Sequence, residues 1–273
     1  MNAFLKSALG LLLIFHDSTF AQQTPESEAA RLRALLDKAP TFLEFLSDNS
    51  STVPFTPVAV HRWVNNERDP HGQGVLVLWT SKGCPQVAAS LYPWNDSLVF
   101  EMESLTRGTF LCTQDGVAVW RPVRGQSFPV IPGAETPADS PTARLRQMKA
   151  LADEFSVTML GWKADDSDRE ELRRLPKEFF RYKPENEQVI DGAVFGFVKG
   201  TDPEALLIIE AVKVAERSRY EYAFVRQTSG ALSARHKGQQ VWSAEKHPFR
   251  GNPSQPFFSA KVPLDEAYSR IEK

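Results

Sequence analysis

Two amphipathic stretches, each followed by a series of short apolar runs, organise the chain. Thr24 and Pro25 form a helix start, a capping hydroxyl followed by proline at the first helical position. Ala29, Leu32, Leu35 and Leu36 then recur at helical spacing. Ser140 and Pro141 open a second helix in the same way, with Leu145, Met148, Leu151, Ala152 and Phe155 as its stripe. After each helix the period changes to that of strands. Gly74 to Thr80 and Ala193 to Val198 are continuous apolar runs, so both of their faces should be covered. Val87 to Tyr92 and Leu206 to Ala211 follow across turns too short for a crossover, which requires antiparallel pairing. Leu98 to Leu105, Gly108 to Thr113 and Val117 to Trp120 complete the first series. Tyr220 to Arg226, Ala231 to His236 and Gln240 to Trp242 complete the second. The order predicts an α+β fold with an internal duplication, each half one long helix followed by a mostly antiparallel β-meander.

The repeat rests on matched segments. Both helices contain Ala-Arg-Leu-Arg, at 30–33 and 143–146. Arg62 in His-Arg-Trp corresponds to Arg181 in Phe-Arg-Tyr, and Gly74 to Gly192. Gly83-Cys84-Pro85-Gln86 sits against Thr201-Asp202-Pro203-Glu204, while Gly116 and Val119-Trp120 match Gly238 and Val241-Trp242. The offsets run from 113 to 122 residues without a break in order, as loop insertions in a duplicated unit would produce. The division expected is a leader over 1–21, a first unit over 22–122, a Pro- and Gly-rich linker over 123–139, a second unit over 140–246, and a C-terminal tail over 247–273 whose Phe257 and Phe258 dock onto the body.

Composition narrows the function classes. The chain has 273 residues, 42% apolar and 24% charged, with 32 basic against 34 acidic side chains interspersed throughout. That balance carries no electrostatic footprint for nucleic acid. Leu9 to Phe15 is a short apolar run behind a single charge at Lys6, and Thr19-Phe20-Ala21 offers small residues at a cleavage site. The run is far shorter than the ~20 apolar residues of a membrane span. The expectation is a signal peptide cleaved near Ala21 and a mature chain outside the cytoplasm, periplasmic or secreted, with no membrane span. Cys84 and Cys112 are the two cysteines. In the expected meander a third strand separates them by ~10 Å, beyond bridging distance, and spacing alone leaves pairing open.

Motifs for chemistry are sparse. Ser243-Ala244-Glu245-Lys246 fits S-x-x-K, but the serine follows a strand instead of opening a helix. Asp165 to Glu171 is acidic yet lacks the glycine and spacing of a calcium loop, and reads as a capped helix over Asp168 to Leu175. The histidines, His16, His61, His71, His236 and His247, form no metal-binding pair, and His61 falls where the other half has Phe180, which argues for packing. No cofactor or metal is expected. Arg62 and Arg181, related by the repeat, could clamp an anion bidentately; alternatively each pairs with a carboxylate such as Glu101, Glu103 or Glu210. Arg62, Arg181, Glu101 and Glu103 are therefore the candidate ligand-binding residues, while Trp79, Trp120 and Trp242 read as core.

The segments ARLRQMKALADEF, LPKEFFRYKPEN, DGAVFGFV and GTDPEALLIIEA, with HRW and SLYPW in the first half, resemble a family of exported bacterial proteins with no assigned function. The likeness spans about Val58 to Trp242 and implies export but no activity. Three readings follow. The leading one is a non-enzymatic exported binding or structural module, with a small molecule or an envelope protein as partner. The alternatives are a hydrolase built from distant residues such as Glu101 or Glu103 with an arginine, and an envelope interaction partner using a sheet edge. A strongly perturbed carboxylate in a pocket would favour an enzyme, and a mostly apolar cavity a binder.

Overall fold

In the computed structural model, residues 25–47, 54–65, 72–160, 167, 169–184, 188–248 and 251–272 are described. The expected leader, the Thr24 cap and His71 lie outside them. The first half runs α1 (Pro25–Lys38), a 3-10 turn (Ala39–Phe42), β1 (Glu44–Ser47), β2 (Thr56–Val64), β3 (Gln73–Ser81), β4 (Cys84–Trp94), β5 (Ser97–Ser104), β6 (Phe110–Gln114) and β7 (Val117–Trp120). The second runs α2 (Pro141–Ala152), β8 (Phe155–Leu160), β9 (Glu170–Arg174), β10 (Phe180–Tyr182), β11 (Val189–Lys199), β12 (Asp202–Val214), β13 (Arg217–Arg226), β14 (Ala231–His236) and β15 (Gln239–Ala244). β16 (Phe257–Pro263) and α3 (Leu264–Ile271) follow.

The α+β expectation of one long helix over a meander in each half is overturned. Among the described residues 53% are strand and 17% helix, and the sheets include a nearly closed barrel. The helices are short, 14 and 12 residues for α1 and α2. Helical spacing carries on past Ala152 to Phe155, but Phe155 already belongs to β8. The strands split between sheets instead of forming one meander per half. One sheet has the order β16-β5-β4-β3-β2, a second β1-β6-β7, and a third joins eight strands along β13-β12-β11-β9-β8-β14-β15, with β10 on β11. The acidic segment expected to be a helix ends in β9, whose Leu172 is buried between exposed or half-exposed charged neighbours. Alternation with period two outweighs the capping pattern there.

Local chemistry explains the hairpins. Lys82-Gly83, Asp115-Gly116 and Lys237-Gly238 each place both residues in the left-handed region, the geometry of two-residue turns that match strand twist. Gly74 and Gly192 have another cause: a Cβ would stand 2.2 Å from the Trp63 ring and 2.3 Å from the Tyr182 ring, respectively. Each aromatic lies across the strand pair on its glycine, Trp63 opposite Gly74 and Tyr182 opposite Gly192.

Three principal cores result. One lies under α1 and α3 and includes Leu35, Phe45, Trp79, Phe100, Phe110 and Trp120. Another packs α2 on the eight-stranded sheet, with Met148, Phe195, Leu207 and Phe224. The third joins the halves, setting Leu76, Leu78, Ala88 and Leu105 against Val194, Leu206, Ile208 and Val225. Burying such side chains contributes about 1.5–3 kcal/mol each.

The segments expected as linker and tail are built into the sheets. Around the bridge Val130↔Glu221, Ile131 N–H donates to Tyr220 O and Tyr222 N–H to Pro129 O, so the connecting segment pairs along β13. β16 pairs along β5 from Phe257↔Glu103 to Pro263↔Ser97. Each segment thus lines the edge of the half that it does not follow. Cys84 and Cys112 fall in different sheets and are both free.

Candidate functional site

The sequence-derived candidates separate into two groups. Arg62, on β2, pairs with Asp37 of α1 across an exposed contact. Arg181, on β10, donates through Nε and Nη2 to Asp191 at 3.1 and 2.8 Å, and through Nη2 to Pro141 O at 2.6 Å. Arg144 Nε donates to the same carboxylate at 3.0 Å. The two arginines engage separate carboxylates, and these are Asp37 and Asp191 rather than the glutamates expected. Glu210 instead accepts from Tyr182 at 2.7 Å and from Arg107 at 2.5 Å, with Arg107 also reaching Glu221 at 2.9 Å. Arg107 therefore ties the β5–β6 connection of the first half to the second half's sheet. His61 packs on Phe179 with ring centroids 4.7 Å apart.

Glu101 and Glu103 come together at the seam between the halves. They are two apart on β5, so both side chains leave the same face of the strand. Both are buried, with 2% and 6% of their surface exposed. Glu101 is fully engaged, accepting from Tyr92 Oη at 2.8 Å, Ser229 N–H at 2.8 Å and Ser229 Oγ at 2.7 Å. Glu103 is half engaged. Its Oε1 accepts from Gln126 Nε2 at 3.0 Å, and its Oε2 has no hydrogen-bond partner. Burial pushes the Glu103 carboxyl up to about 8, against the pull of the Arg226 charge and the Gln126 hydrogen bond. Near neutrality Glu103 is predominantly protonated, a donor as well as an acceptor.

Arg226 ends β13 beside these glutamates. Its Nε, Nη1 and Nη2 donate to Thr228 O, Glu245 O and Gly230 O at 2.7, 2.7 and 2.5 Å, and its guanidinium lies 4.7 Å above the Phe257 ring. That clamp holds the end of β15 against β13 and the tail. Around it opens a cavity of about 880 Å³ bordered by Glu103, Gln126, Trp242, His247, Asn252 and Gln255, among others. Ser243 and Lys246 of the S-x-x-K match also line it, Ser243 from a strand. Smaller cavities elsewhere hold about 250 to 320 Å³.

Only Glu103 of the four candidate residues borders this cleft. Gln126, Asn252 and Gln255 come from segments that read as linker and tail, and carried no pattern of their own. Among the described residues no group of three or more His, Cys, Asp or Glu side chains could hold a metal ion, and no helix is long and apolar enough to cross a membrane. No protein-family model, curated protein or solved structure matches the chain.

Proposed function

We propose that the protein is an exported binding module that holds a small molecule in the cleft at the seam of its two halves. The observation that carries this reading is the cavity of about 880 Å³ with the half-engaged Glu103 in its wall. A volume of that size suits a ligand of drug-like dimensions. Glu103 brings its side chain to the same wall as the amides of Gln126, Asn252 and Gln255. Native mass spectrometry of the mature protein recovered from its own exported fraction tests the reading. A mass excess that disappears on denaturation is the expected result. A bare protein mass under mild conditions, from fractions known to hold the folded chain, would overturn retention of a ligand.

One observation favours a second reading, a hydrolase with Glu103 as general acid. A carboxyl held near 8 inside a cleft is the perturbation that proton-transfer chemistry uses. Among the described residues no nucleophile or base is hydrogen-bonded to it: the Glu103 contact within the cleft is Gln126. Turnover of a nitrophenyl glycoside or ester that is abolished in Glu103→Gln, with folding retained, would make this reading the better one.

A further inference from the structure

We infer that the seam cleft binds a saccharide of two or three rings, stacked on Trp242 and hydrogen-bonded by the amide and hydroxyl groups around it. The inference rests on the binding-module reading and names the ligand class for that same cleft. Trp242 is partly buried, and its indole stacks on Phe224 at 5.7 Å and 26° while also lining the cavity. An aromatic ring held by packing on one side offers a flat apolar surface at low conformational cost. The C–H face of a sugar ring is complementary to such a surface.

The polar groups of the wall supply the other half of the match. Gln126 uses both N–H groups on Glu103 Oε1 and Ser104 O, which leaves its Oε1 as an acceptor. Gln255 Oε1 meets His247 Nε2 at 3.1 Å, leaving the Gln255 Nε2 donors. Asn252 Oδ1 accepts from the Ser254 N–H and Oγ, leaving the Asn252 Nδ2 donors. Ser127 and Ser243 add hydroxyls that serve either way. Unspent donors and acceptors therefore line the same cleft as the indole. A sugar hydroxyl is both donor and acceptor, so a ring bearing several satisfies such a mixed set where a simple anion or an apolar ligand would leave half of it unpaired. Charge agrees: the rim cations Arg124 and Lys246 are offset in part by Glu245, and Arg226 is spent on carbonyls with Glu101 behind it.

Saturation-transfer difference NMR on the whole chain, with chitobiose, maltose and benzoate as probes, tests the inference. The expected result is saturation of ring C–H protons of at least one disaccharide, and about tenfold weaker binding in Trp242→Leu. Leucine keeps apolar bulk against Phe224 but removes the aromatic face, and Trp242→Phe should restore most of the affinity. A melting curve for each variant separates lost binding from lost folding, and Asn252→Ala gives an independent loss at a position outside the core. Saturation of benzoate alone, abolished in Trp242→Leu, would overturn the saccharide class and leave a binding cleft standing. Saturation of none of the three would overturn the saccharide inference; with no mass excess in the native spectrum as well, the binding reading falls with it.

Discussion

Trp120 and Trp242 occupy the same place in two strand pairs and have opposite fates. Trp120 stands across from Cys112 on β7, and Trp242 across from Ala234 on β15. Each comes four residues after the glycine of a tight hairpin turn. Trp120 is 1% exposed, edge-on to Phe110 at 4.8 Å and stacked beneath Phe258 at 6.1 Å, and its Nε1 donates to Gln255 O at 2.8 Å. Trp242 has Phe224 on one side and the cleft beside it. The strand position does not decide between core and site. The segment after β15 decides it, by covering the first indole and running past the second.

The sharpest way to break this comparison is to truncate both rings. Trp120→Ala should cost about 4 kcal/mol in chemical denaturation, and Trp242→Ala about half of that, because a fully packed aromatic loses more on truncation. Equal losses would mean that Trp242 is as much a core residue as Trp120. A second effect separates the cleft wall from the core by pH. Glu103 ionises near 8 in the fold and near the ordinary carboxylate value when unfolded, so the folded state binds more protons between these limits. Its stabilising effect is complete below the ordinary value and is lost as pH rises through about 8. Between pH 5 and pH 8 the loss should be on the order of 3 kcal/mol, and Glu103→Gln should remove that slope in urea melts at each pH. An unchanged slope in the variant would assign the titration elsewhere.

Stripping the cover should sharpen the contrast further. Phe258→Ala ought to destabilise by about 2 kcal/mol and shift indole emission to longer wavelength as Trp120 meets water. No spectral change would mean that β16 is not what keeps that ring dry. The smallest effect is expected at Ser243, exposed on β15: Ser243→Ala should change stability by less than about 0.5 kcal/mol in the same urea melts.

Much of the β-structure was legible because it rests on local rules. The continuous apolar runs predict β3, β4, β11 and β12, and the short turns between them their antiparallel pairing. What escaped depends on distant partners. β1 and β8 are short and find their neighbours in β6 and β14 late in each half. Phe155 keeps helical spacing, but the helix has closed before it, with the Asp153 N–H donating to Lys149 O. β16 looked like a tail because its role is set by pairing with β5, more than 150 residues earlier. The site follows the same rule. Glutamates in an apolar strand were noticeable, whereas the elevation of Glu103 comes from burial that only the fold creates, against the pull of Arg226 and Gln126. Arg62 and Arg181 were singled out by symmetry, yet each has a carboxylate partner of its own.

The exchange of edge segments between the halves has a consequence for synthesis. As the chain leaves the ribosome, or threads through any pore in an unfolded state, Ser97–Ser104 emerges long before the segment that completes its sheet. Until Phe257–Pro263 follows, that hydrogen-bonding edge is open, and an exposed apolar strand edge is a template for other chains. The N-terminal half is therefore the vulnerable passenger in biogenesis, and its maturation is timed by the last stretch to appear. A chain ending before Phe257 should accumulate as aggregate, and a peptide of residues 255–272 supplied in trans should rescue it.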